Sequence, residues 1–222
     1  MRSHRVEECL EALHRLGRKG KRVSLTALAG HLAVKPPSIL EMIRRMEESG
    51  LVERRTPRDL LLTGEGERLA LEVVRKHRLS ERFIVDTLGM DWRKAHDEAC
   101  RLEHALSTEL CDALDHFLSF PRTCPHGHSI PDRKGRTPQD EDTLLTSLAE
   151  HGTVTVSRVE EDSQSTLEYF QRVGILPGKK LAVREIAPGG GAFLVHVDGN
   201  ALPLSREMAD SIWILPVAGG AS

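Results

Sequence analysis

The feature that most constrains this chain is a change of hydrophobic period near residue 140. Before it, apolar residues recur at helical spacing, as Val6, Cys9, Leu10, Leu13 and Leu16 do. After it come the strand-like runs GTVTVSRV, KKLAVREI, AFLVHV and SIWILPV, separated by PGGG and DGN turns. A helix-rich front followed by a strand-rich rear implies an α+β multidomain chain. Its 222 residues suggest one or two domains, with room for three small ones. Aromatic residues are only 4% of the chain, so the cores must be built from Leu, Val, Ile and Ala. The stretch PRTCPHGHSIPDRKGRTP, residues 121–138, is rich in proline, glycine and basic residues and reads as a connection leaving the helical part.

The front divides further. Ser24 is placed to cap a second helix with Leu25, Leu28, Ala29 and Leu32 inward. Pro36 and Pro37 suit the start of a third helix, because their missing N–H groups have no helical partner there anyway. That helix turns Ile39, Ile43 and Met46 inward and stops at Ser49-Gly50. LVERR-TPRD-LLLT then reads as strand, tight turn, strand, so residues 1–63 have the layout of a winged helix-turn-helix. Thr63 caps a long helix with an acidic first turn, carrying Leu69, Val73, His77, Phe83 and Ile84 and ending near Gly89. Asp91 caps a helix expected to run through Leu106, and Ser107 another through Phe120. These three helices carry more Leu and Val than a monomer covers, so residues 64–138 are expected to dimerise. Residues 139–222 fit a small SH3-like β-barrel with a short helix around Leu167–Val173 closed by Gly174.

The net charge of -2 hides an asymmetry, since residues 1–70 hold 14 Lys/Arg against 10 Asp/Glu. A basic front permits contact with nucleic acid. The N-terminus MRSHRVEECL has no apolar signal core, and no apolar run approaches the roughly 20 residues of a membrane helix. A cytoplasmic protein with reduced thiols is therefore expected, so Cys9, Cys100, Cys111 and Cys124 are available for metal.

One segment gathers unusual chemistry. HDEACRLEH, residues 96–104, carries His96, Cys100, Glu103 and His104, which fall within a helical stripe about 100° wide. Imidazole, thiolate and carboxylate are the ligands of first-row transition metals, and a solvated polar face would not choose cysteine. His77 and Glu81 share a face of the preceding helix. Glu8 and Glu11 on the first helix, and Cys124 and His126 in CPHGH, complete the set of candidate ligands.

KHRLSERF, HDEACRLEHALS and CPHGHSIP together resemble the signature segments of the diphtheria toxin repressor family of metal-dependent regulators. The resemblance extends from about residue 5 to 217 and includes the SH3-like module of the longer members. It implies a homodimer set for operator DNA by Mn(II) or Fe(II), with one regulatory and one ancillary site per subunit. Zn(II), Co(II) or Ni(II) would substitute in vitro. By matching positions, Glu8, Cys100, Glu103 and His104 correspond to the regulatory site, and His77, Glu81 and His96 to the ancillary one. The ancillary site is completed either by Glu161 and Gln164 of EDSQ or by Cys124 and His126. Glu8 matches the manganese branch while Cys100 matches the iron branch, so the residues leave Mn(II) and Fe(II) both open.

On DNA, the helix beginning at Pro37 would enter the major groove. Thr26, Lys35, Pro37, Ser38 and Glu41 are the candidate DNA-facing residues, with Arg45 and the wing's Arg58 on phosphates. Neither a membrane nor a small-molecule substrate is implied. Three other readings compete: a metal hydrolase, a DNA-binding protein with purely structural zinc, and a metal-trafficking accessory protein. Against the first, the chain has no HExxH, nucleophile elbow or phosphate loop.

Overall fold

The computed structural model describes residues 4–18, 22–56, 58–138, 141–160 and 163–216. The chain forms two compact units, one of Met1–His77, Cys100–Ala113 and Pro131–Thr137, the other of Arg78–Ala99, Leu114–Ile130 and Pro138–Ser222.

The first unit holds the winged helix. Helix α1 (His4–Gly17) buries Cys9, Leu10, Ala12 and Leu13, the face the apolar spacing requires. Helix α2 (Leu25–His31) is capped by the Ser24 side chain, which accepts from the Ala27 N–H. Helix α3 (Pro36–Glu48) opens on its two prolines and buries Ile39, Ile43 and Met46. Strands β1 (Val52–Thr56) and β2 (Asp59–Leu62) pair antiparallel, Val52 opposite Leu62. Leu60 also bridges to Val23, tying the wing to the segment before α2. Helix α4 (Gly64–Arg82) starts at Thr63, whose hydroxyl accepts from Gly66 N–H and donates to Gly50 O. A Cβ on Gly66 would lie 2.0 Å from Leu51 O, so only glycine lets the helix start this close to the wing.

Three expectations about the helices need correction. The α4 region is not α-helical up to Gly89: beyond Arg82 it widens into a π turn, Phe83–Thr87, closed by Leu88 N–H to Phe83 O. Helix α5 (Trp92–Leu102) stops four residues short of Leu106, so Glu103 and His104 lie in a turn. The apolar period runs on through Leu102 and Leu106, but burial of Glu103 overrides it. Helix α6 (Thr108–Phe117), capped by Ser107, ends before Phe120 because Ser119 and Phe120 adopt positive φ.

The second unit contains an antiparallel sheet in the order β3-β8-β4-β5-β6-β7, around a core that includes Val154, Val156, Phe170, Leu181, Phe193, Val195 and Ile214. Its strands are β3 (Thr143–Leu144), β4 (Gly152–Val159), β5 (Lys180–Ile186), β6 (Ala192–Val197), β7 (Asn200–Ser205) and β8 (Ile212–Pro216). The expected short helix is α7 (Gln164–Val173), closed by Gly174 at φ 79°, and a single turn, α8 (Arg206–Ala209), precedes β8. Strands β3 and β7 stand at the edges of the sheet.

The stretch 121–138 is not a bare connection. Residues 122–130 form a closed loop held by Cys124 N–H to His128 O, Ile130 N–H to Arg122 O and the Arg82 guanidinium on Thr123 O. The loop docks on the end of β4 through Val159 N–H to His126 O and a hydrogen bond between His128 Nε2 and Val159 O. Gly127, at φ 92°, would set a Cβ 2.2 Å from Ser157 O, so the glycine of CPHGH is what permits the docking.

Candidate metal centre

In the first unit, α1 meets the end of α4 and the α5–α6 turn around a set of acids and imidazoles. The His77 Nδ1 lies 2.5 Å from Glu103 Oε2 and 4.0 Å from Cys100 Sγ. Glu11, His77 and Glu103 each bring a donor atom to within 4.8 Å of the others. His4, Glu8 and His104 form a second such group. The two groups are joined, because His104 Nε2 lies 3.0 Å from Glu103 Oε1 while its Nδ1 lies 2.8 Å from Glu7 Oε2.

Glu103 is 2% exposed, and that burial pushes its carboxyl pKa up. The hydrogen bond to His77 opposes the shift, and the nearby charge of Glu11 adds to it. A buried carboxylate beside a half-buried one is unfavourable unless positive charge sits between them. The donor set of carboxylate oxygen, imidazole nitrogen and thiol sulfur therefore fits a divalent first-row cation.

In the second unit, Glu81, Cys124 and His126 are all buried, with donor atoms within 4.8 Å of one another. His126 Nε2 donates to Trp92 O at 3.0 Å, which turns Nδ1 toward Glu81 Oε1 at 3.3 Å. Anchoring one ring nitrogen on a backbone carbonyl is the usual way a protein orients an imidazole ligand. His96 Nδ1 stands 3.7 Å from the same Glu81 oxygen.

The expected site residues belong to both units. Glu8, Glu11, His77, Cys100, Glu103 and His104 gather in the first, and Glu81, His96, Cys124 and His126 in the second. Gln164 is exposed in the first turn of α7, and Glu161 lies outside the described residues. The sequence reading missed His4 and Glu7; the one available signal was that His4 precedes Glu8 by one helical turn. On the winged helix, Thr26, Lys35, Pro37, Ser38 and Arg58 are exposed. Glu41 and Arg45, also exposed, form an ion pair one turn apart on α3.

Comparison with known proteins identifies three parts of the chain in order. Residues 1–60 match the N-terminal DNA-binding domain of iron-dependent repressors, 63–132 their metal-binding and dimerisation domain, and 143–216 the FeoA domain. The iron-dependent repressor IdeR of Mycobacterium bovis is 33% identical over 219 residues, covering 93% of this chain and 95% of its own. The diphtheria toxin repressor of Corynebacterium glutamicum is 30% identical over 224 residues, covering 96% and 97%. A manganese-dependent transcriptional repressor solved in complex with manganese superposes with a TM-score of 0.89 at 32% identity, over 96% of this chain and 100% of that one. With all three parts matched in order and relatives aligned along nearly the whole length, the chain belongs to the iron-dependent repressor family.

Proposed function

We propose that this chain is a metal-dependent transcriptional repressor that binds operator DNA as a homodimer when loaded with Mn(II) or Fe(II). It acts in the cytoplasm on genes of metal-ion homeostasis and carries out no catalysis. The observation that carries the reading is the convergence of α1, a helix of the winged-helix domain, with His77, Glu103 and His104. Glu8, Glu11, His77, Cys100, Glu103 and His104 would hold the regulatory ion. Its chemistry is that of a compact positive charge that offsets the gathered carboxylates. With those groups satisfied, α1 is fixed against the α5–α6 turn; without a cation, Glu11 and Glu103 repel and α1 loosens. A coupling of about 1–3 kcal/mol, typical of allosteric systems, corresponds to about 5–150-fold in operator affinity.

Glu81, His96, Cys124 and His126 would form the ancillary site. The complete burial of its core favours an ion held for long periods there, so structural zinc is the second reading for this pocket alone. Exposed Leu88, Met90, Leu110, Phe117 and Phe120 supply the apolar surface a homodimer would cover. On DNA, α3 enters the major groove. Lys35 and Arg58 meet phosphates, as does Arg45 after exchanging Glu41 for a phosphate, an exposed pair being worth at most about 1 kcal/mol. Thr26, Pro37 and Ser38 contact the same duplex.

The test is a gel-shift titration on the chain's own promoter region with Mn(II), Fe(II), Zn(II) or chelator. Retardation only with metal is the expected result. Equal binding in chelator would refute the reading.

A further inference from the structure

The two triads of the first unit differ in chemistry. Glu11, His77 and Glu103 offer two carboxylates and one imidazole, whereas His4, Glu8 and His104 offer two imidazoles and one carboxylate. His4 opens α1 one turn before Glu8, so both side chains rise from one face of the helix. Its ring centroid lies 3.5 Å from that of His104, with the planes tilted by 42°. The His4 side chain is exposed and belongs to neither the core nor a helix cap. His104 is held from the other side by Glu7 and Glu103. The His4 imidazole therefore packs on His104 alone, outside the core, where it can share an ion with that residue.

We propose that His4 is a further ligand of this chain's regulatory cation, together with Glu8 and His104, and that its nitrogen biases the site toward Fe(II), Co(II), Ni(II) or Zn(II) and away from Mn(II). The inference rests on the reading above that a cation sits against Glu8 and His104. Nitrogen donors raise affinity along the series from Mn(II) toward the later divalent ions, while carboxylates suit Mn(II). Adding an imidazole to a site that already includes the Cys100 thiol moves it in the same direction.

The experiment is a titration of the full-length metal-free protein with Co(II), followed by its visible d–d bands, and with Mn(II), followed by competition with a chelating dye. Wild type, His4→Ala, His4→Gln and Glu8→Ala are compared. Removing even an outer hydrogen-bond partner of a ligand costs about 10–100-fold in affinity, so losing His4 is expected to weaken Co(II) at least about tenfold. The d–d spectrum should shift, Mn(II) affinity should fall much less, and melting of the metal-free protein should not change. A Co(II) spectrum and affinity unchanged in both His4 variants while Glu8→Ala loses them, or an equal loss for Mn(II), overturns the proposal. If Glu8→Ala also binds Co(II) as wild type does, the cation reading itself fails, and the assignment of His4 with it.

Discussion

The two clusters of candidate metal ligands are built from similar residues in opposite settings. Around Glu81, Cys124 and His126 every group is buried, and the imidazole is clamped by Trp92 O and by a loop that Gly127 lets dock on β4. The cluster of the first unit is graded instead: Glu103 and His77 are buried, Glu7 and Glu11 half-buried, and His4 and Glu8 exposed. Some of its candidate ligands come from α1, a helix of the DNA-binding domain. The difference teaches which cluster can report on metal. A closed, preformed pocket returns an ion slowly and serves stability, whereas an open one closed by a helix of the DNA-binding domain can exchange its ion and pass on the result.

The largest expected effect sharpens that contrast through stability. His126→Ala leaves Glu81 buried beside an empty space, and breaking such a pair costs about 3–5 kcal/mol. Glu8→Ala, at an exposed position, should stay within about 0.5 kcal/mol. Denaturant unfolding of the metal-free proteins measures both, and equal losses would break the comparison.

Next in size is Glu103→Gln. Removing a charge whose burial is unfavourable should leave the metal-free protein as stable as wild type or more so. Calorimetric titration should nonetheless show metal affinity at the first unit's cluster reduced at least about tenfold. A loss of stability with unchanged affinity would make Glu103 a structural residue only.

The smallest effect is on the acid limb. The hydrogen bond from His14, 2.8 Å away, holds the Glu67 carboxyl below its ordinary value. A depressed folded-state pKa contributes stability that is present above the unfolded value of about 4.5 and is lost as pH falls through the folded one. Glu67→Gln should therefore cost a little stability at neutral pH and raise the pH of acid unfolding slightly, the two proteins converging once pH falls below the folded pKa. An unaltered acid midpoint would contradict it.

Much of the architecture was legible because local signals and tertiary packing agree. Ser24, the Pro36-Pro37 start and Gly174 each mark an element end by backbone chemistry alone. Strand β7 was missed because Pro203 interrupts the NALPLS run; an edge strand tolerates the proline that a central one would reject. The site residues were legible by type, but their partners were not. Helical spacing put His96, Cys100, Glu103 and His104 on one stripe, yet α5 ends at Leu102, and Glu103 and His104 reach their neighbours from a turn. Nor does periodicity reveal that CPHGH closes on itself and packs its histidines inward, since that depends on contacts with β4.

The most direct test of the central claim is the affinity of a labelled promoter fragment, read by fluorescence anisotropy, for wild type and Glu11→Ala with saturating Mn(II) or Fe(II) and with chelator. The account predicts that metal tightens wild-type binding about 5–150-fold and that Glu11→Ala, whose winged helix is intact, loses most of this gain. Wild-type affinity indifferent to metal, or a full metal response in Glu11→Ala, would contradict it.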